Sequence, residues 1–312
     1  MTSLLRFWGT ACLLCLTILF AVLTLSVVTN TWFRGSSLTS SENRVAVIEV
    51  KGVIYKSGAF TRKIESLLSD KKIKALVVRI NSPGGLVGPS QEIYQAIRKA
   101  NNKIPVIASI GSVGASGGYY VALGARTIFA NPGSLTASIG VISEFANLEQ
   151  LYKWARVEVF TLKAGKLKDV GTETRKMTSE ERQFLLALLE DTHKEFKLTV
   201  QTQRQLTPEE ANQWTDGRVM TGSQAKAAKL IDELGGFEEA VAAAKKVAGL
   251  PEGAPVDYPE AKKKNFLRDF LAADEEDSLV GESNGEQIRK VFSLLFGKER
   301  GWKILFLAPI QL

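Results

Sequence analysis

The chain has 312 residues, 45% of them hydrophobic and 23% charged, which suits one large domain or two small ones with appendages. Its formal net charge of +7 is dispersed, with no dense block beyond Lys262-Lys263-Lys264 and no basic stripe with interleaved aromatics. That argues against nucleic acid as a partner and leaves a solubilising surface that favours anionic lipid headgroups.

The two cysteines, Cys12 and Cys15, both fall in the first apolar stretch, and the one histidine is His193. A disulfide framework, thiolate catalysis and cysteine–zinc sites are thereby removed, and neither a metal nor a cofactor is expected. Residues 7–28 carry no charge and are dominated by Leu, Val, Ala and Ile. About 20 apolar residues span a bilayer, whereas a cleaved signal has an apolar core of about 7–15. The run therefore favours an uncleaved anchor, with the short head inside and the long tail outside. That is the pattern of a single-pass inner-membrane protein whose main part is extracytoplasmic. The Ser-rich residues 35–42 read as a tether, so residues 1–43 form anchor and tether.

Four apolar, β-branched runs follow at 45–50, 75–80, 104–110 and 127–130. Amphipathic helical patterns at 60–68 and 91–99 separate the first three. Strand, helix, strand at this period predicts an α/β fold with a parallel sheet, and its near-continuous apolar strands are those of a sheet covered on both faces. Further apolar runs stand at 139–142 and 157–162. Thr178 with Glu181 three residues on is a capping box, and Phe184, Leu185, Leu188, Leu189 and Phe196 give the helix it opens an apolar face. Thr207-Pro208 opens another helix, and 225–230 and 237–247 add two more. Residues 251–312 loosen into Pro, Gly, Lys and acidic residues and form an extension of unassigned fold. The extension ends in the apolar Trp302, Ile304, Leu305, Phe306 and Leu307, which suit a membrane surface, a neighbouring subunit or a peptide groove.

Chemistry concentrates in three segments. Gly114-Ala115-Ser116-Gly117-Gly118 follows one strand and precedes a helix, a turn that exposes a serine hydroxyl and leaves the Gly117 amide free to donate to an oxyanion. Asn81-Ser82-Pro83-Gly84-Gly85 ends the preceding strand at the same sheet edge, where sites form in parallel sheets, and Gly85 offers a second amide. A serine needs a base. His193 sits late in a helix, beside Asp191 and Lys194, and is a poor candidate. Lys163, Lys166 and Lys168 cluster in one short segment, and their mutual repulsion would help one amine lose its proton.

Arg79-Ile80-Asn81-Ser82-Pro83-Gly84-Gly85, Gly114 to Tyr120, Ser138-Ile139-Gly140-Val141 and Lys163 to Asp169 together resemble the signal peptide peptidase A family of Ser/Lys-dyad membrane proteases. Asp216-Gly217-Arg218-Val219 and the stretch from Ala225 to Gly236 match as well, so the resemblance covers residues 44–250. It implies Ser116 as nucleophile, Lys168 as general base, Ser138 as the hydroxyl that orients the lysine, and Gly85 and Gly117 as oxyanion donors. It also implies a Clp-protease/crotonase-type fold of repeated ββα units. Short-form members form homo-oligomeric rings in which each lysine serves a neighbouring subunit's serine, and they act on remnant signal peptides and other unfolded, apolar-rich peptides. Three rival readings stand beside this: an α/β-hydrolase esterase using Ser116 and His193, a crotonase-like acyl-CoA enzyme, and an inert membrane-tethered scaffold.

Overall fold

The computed structural model describes residues 42–258 and the strand Leu305–Leu307. The anchor and tether expected at 1–43 lie almost wholly outside the described residues, as does most of the 251–312 extension. No helix among the described residues is long and apolar enough to cross a membrane.

The expected strands and helices form with small shifts of boundary. Strand β1 (Arg44–Lys51), helix α1 (Gly58–Ser69), strand β2 (Ile73–Ser82), the short strand β3 (Gly84–Leu86), helix α2 (Val87–Asn101) and strand β4 (Val106–Ala115) follow in order. After them come α3 (Gly117–Ala122), β5 (Thr127–Ala130), β6 (Leu135–Ala137) and α4 (Glu149–Trp154). The 26-residue helix α5 (Ser179–Arg204), then α6 (Pro208–Trp214), β7 (Val219–Thr221) and α7 (Gly222–Ala227), lead to β8 (Glu233–Leu234), α8 (Phe237–Val247), β9 (Val256–Asp257) and β10 (Leu305–Leu307).

β1, β2, β4 and β5 pair in parallel, as the strand–helix–strand period requires. Side chains alternate across the sheet. Ala46, Ile48 and Val50 join a large core with Phe60, Ile64, Ile93, Ile97 and Phe196, while Val45 and Val47 face Ala240, Val241 and Ala244 of α8. Covered on both faces, these strands could be apolar nearly throughout.

Two irregularities shape the edge where chemistry is expected. The β2–β4 register shifts between Ile80 and Ser82, and β4 changes partner along its length: its first half pairs β5, while Val113, Gly114 and Ala115 pair β6. The second half of β4 thus runs between β6 and β2 in the same sheet, with Gly114 opposite Ser82, and leads directly into Ser116. Bulges of this kind bend a strand and re-aim its side chains.

Two expectations change. The apolar run 157–162 forms no strand: Phe160 and Leu162 are 82% and 100% exposed, so among the described residues nothing packs over them. On α5, Leu185 and Phe196 are buried, but Phe184 and Leu188 are exposed. The helix buries a narrower stripe than its apolar pattern suggested: Glu181, Leu185, Phe196, Thr199 and Val200.

Candidate active site

Ser116 is the N-cap of α3, with φ 52° and ψ −117°. A side chain at positive φ is strained, and such residues gather at functional sites. Two more, Ala137 (φ 61°) and Ser138 (φ 51°), stand at the end of β6, where Ala137 lies opposite Ala115. The segments are tied together, because the Ser116 amide donates to the Ala137 carbonyl at 2.7 Å. A sharp strand-to-helix turn explains the local sequence: Gly118 passes so close to Ser82 that a Cβ there would lie 2.6 Å from the Ser82 carbonyl oxygen.

The Ser116 hydroxyl is fully buried and has no hydrogen-bond partner among the described residues. The next residue, Gly117, runs close against Gly85. An ideal Cβ on Gly117 would sit 3.1 Å from the Gly85 nitrogen and 2.7 Å from Ser90 Oγ, so only glycine lets these backbones meet. Gly85 is equally constrained from its other side, where Ile54 bridges it. The Ile54 amide donates to the Gly84 carbonyl at 2.8 Å, and the Leu86 amide donates to the Ile54 carbonyl at 2.7 Å. The free edge of β3 receives β10 antiparallel, with Phe306 opposite Gly85. An extended backbone therefore lies along the strand that carries Gly85, and it also runs close to α3.

Ser138 is buried, and its amide donates to the Arg218 carbonyl at 2.9 Å. This gives the Asp216-Gly217-Arg218-Val219 motif a physical role. Arg218 pairs with Asp216 at 2.6 Å and lies over the Trp214 ring, fixing the turn on which Ser138 leans. The Leu230-Ile231-Asp232 motif is also structural. The Leu230 carbonyl accepts from the buried Tyr119 hydroxyl at 2.7 Å, whose pKa burial pushes above its ordinary range. Asp232 accepts from the Ile128 amide at 2.7 Å and pairs with Arg204 at 2.7 Å. Together they hold α3 against β5.

The three candidate lysines differ in how their charge is used. Lys163 pairs with Asp169 and also donates to the Lys166 carbonyl at 3.1 Å. Lys166 pairs with Glu180 at 2.6 Å. Lys168 is exposed, and among the described residues its amine has neither a hydrogen bond nor an ion pair. No amine of the chain reaches Ser116 Oγ within hydrogen-bond distance among the described residues. His193 does not reach it either. Its Nε2 faces the Ile139 carbonyl at 3.2 Å from the flank of α5, which removes the geometry an esterase triad needs. The sequence reading did not single out Arg175, which bridges Asp169 and Glu181. Its one visible signal was a lone arginine between the lysine segment and a capping box.

The description Peptidase family S49 matches residues 98–251, and Clp protease matches residues 40–136. A Synechocystis sp. protein provisionally named a protease is 41% identical over 250 residues, 79% of this chain and 90% of its own length. The chain belongs to peptidase family S49. The chloroplastic serine protease SPPA of Arabidopsis thaliana is 32% identical over 77% of this chain, and Protease 4 of Salmonella typhi is 37% identical over 59%. The chain spans 38% and 30% of those two longer proteins. This S49 member is accordingly a serine protease, and its mixed α/β sheet is that of a Clp-protease-like domain.

Proposed function

We propose that this S49 peptidase is a membrane-anchored endopeptidase that cuts unfolded, apolar-rich peptides, remnant signal peptides among them, by acyl-enzyme chemistry on Ser116. The observation that carries this reading is the Ser116 hydroxyl: buried, strained, unpartnered, and set where the Gly85 and Gly117 backbones meet. Lys168 acts as general base, taking the Ser116 proton as Oγ attacks the scissile carbonyl. The Gly85 and Gly117 amides hold the oxyanion, and one such donor is typically worth about 2.7–4 kcal/mol. The lysine then passes its proton to the leaving amine, and water resolves the ester. Ser138 orients the lysine.

The choice of Lys168 is supported by the ion pairs that occupy Lys163 and Lys166. The backbone pairing of β10 along β3 supports recognition of an extended peptide by strand addition. Since no amine among the described residues reaches Ser116, the base comes from a second copy in a homo-oligomeric ring. The exposed Val157, Phe160 and Leu162 supply an apolar surface for that assembly. The uncharged residues 7–28 anchor the ring in the inner membrane, with the catalytic part extracytoplasmic.

A fluorophosphonate probe tests the chemistry. It should label the wild type and leave Ser116→Ala unlabelled, and Lys168→Ala should lose peptide hydrolysis. Co-assembled Ser116→Ala and Lys168→Ala chains should regain part of the activity, because some interfaces then hold both intact residues. Wild-type hydrolysis by Lys168→Ala would sink the assignment of the base. Absence of any activity from the mixed ring would sink the shared site.

A further inference from the structure

We propose that Arg175 is a positioning residue, one that mounts the Lys168 loop on the first turn of α5. The inference rests on Lys168 being the base. The loop is short and internally bonded: the Lys168 amide donates to the Gly165 carbonyl at 3.2 Å, and the Thr172 amide to the Asp169 carbonyl at 3.1 Å. Gly165 and Gly171 both take positive φ, so the backbone turns on either side of the lysine. Left alone, such a loop would let a four-carbon side chain sweep a wide volume.

Two connections fix it, and both end on adjacent residues of one helix. Lys166 reaches Glu180 at 2.6 Å. Asp169 accepts from Arg175 Nε at 3.3 Å and Nη2 at 2.8 Å, and Arg175 continues to Glu181 through Nη1 at 3.0 Å and Nη2 at 2.5 Å. The far end of this chain does not move freely. The Glu181 side chain is 5% exposed and accepts from the Thr178 amide at 2.8 Å, completing the capping box of the 26-residue α5. A planar guanidinium can serve two carboxylates at once in fixed directions, which a lysine cannot. Charge points the same way. Asp169 precedes Arg175 in the chain and follows Lys168 directly, and its carboxylate would draw the Lys168 amine to itself. Lys163 and Arg175 occupy it instead, and Lys168 is left as the one lysine of the segment with no acceptor among the described residues.

The test uses the full-length assembled protein and an apolar-rich peptide. Active sites are counted by exhaustive fluorophosphonate titration, and kcat is expressed per titrated site beside KM and Tm. Arg175→Gln should lower kcat per site by about 10- to 100-fold with KM little changed, because a base displaced by an ångström loses that much. Arg175→Lys should restore only part of it. A purely structural role would reduce the number of titratable sites or Tm and leave kcat per site at the wild-type value. That result in Arg175→Lys, or in Arg175→Gln where it folds, overturns the inference. Lys168→Ala, run alongside, separates the two ideas: if it keeps wild-type kcat, the base assignment fails; if it is inactive while the Arg175 variants are normal per site, only the positioning role fails.

Discussion

Replacing Gly85 by alanine tests the oxyanion arrangement most directly. The ideal Cβ would lie 2.2 Å from the Ile54 carbonyl oxygen, 2.4 Å from its nitrogen and 2.7 Å from its carbonyl carbon. These are backbone atoms locked to β3 by hydrogen bonds of 2.8 and 2.7 Å, so no flexible side chain can yield. Comfortable contact needs about 3.5 Å, and one of the two segments must therefore shift by roughly 1 Å. The Gly85 amide moves with β3. Losing one oxyanion donor costs about 2.7–4 kcal/mol in the transition state, so kcat should fall about 10²–10³-fold. Disturbing the two bridging hydrogen bonds adds a stability loss of about 1 kcal/mol each. Peptide hydrolysis per titrated site and thermal unfolding would be measured together. A variant that folds, shows the displaced bridge in its stability, and keeps kcat within about threefold of wild type would refute Gly85 as a donor.

Gly88, at the start of α2, has nothing within 4 Å of its Cβ position, so Gly88→Ala should raise stability by up to about 1 kcal/mol and leave kcat unchanged; thermal denaturation checks it. Glu181 and Asp169 are held at about 2, below ordinary values of 4.5 and 3.8, chiefly by hydrogen bonds from Arg175 and from Lys163 respectively. Because their folded values are depressed, the stability they contribute is complete above about pH 4.5 and is lost as pH falls toward about 2. Glu181→Gln should flatten part of that acid limb in urea titrations at successive pH values. Deleting residues 302–312 removes β10 and frees the edge of β3. The rate of fluorophosphonate labelling and kcat/KM for an extended peptide should both rise severalfold, and an unchanged rate would mean that β10 does not compete with substrate.

Much of the fold was legible because its signals are local. The β-branched runs at 45–50 and 75–80 and the Thr178–Glu181 and Thr207–Glu210 capping boxes are written in short stretches of consecutive residues. The run at 157–162 misled because an apolar stretch is the same string whether it is buried within a chain or left bare on its surface, and only the fold distinguishes the two. Three lysines within six residues likewise look alike in sequence, and the geometry that pairs Lys163 and Lys166 comes from the folding-back of the loop onto Asp169 and from Glu180 on α5.

The sequence by itself determined the parallel sheet, the serine at a strand-to-helix turn and the glycines that allow backbones to approach it, since these follow from periodicity and backbone sterics. Only the tertiary structure decided that β4 splits between two partners, that Gly85 and Gly117 meet, that residues 305–307 lie along residues 84–86, and which lysine is left unpaired. Those outcomes depend on contacts between residues far apart in the chain. Their energies become favourable only once the whole core has closed.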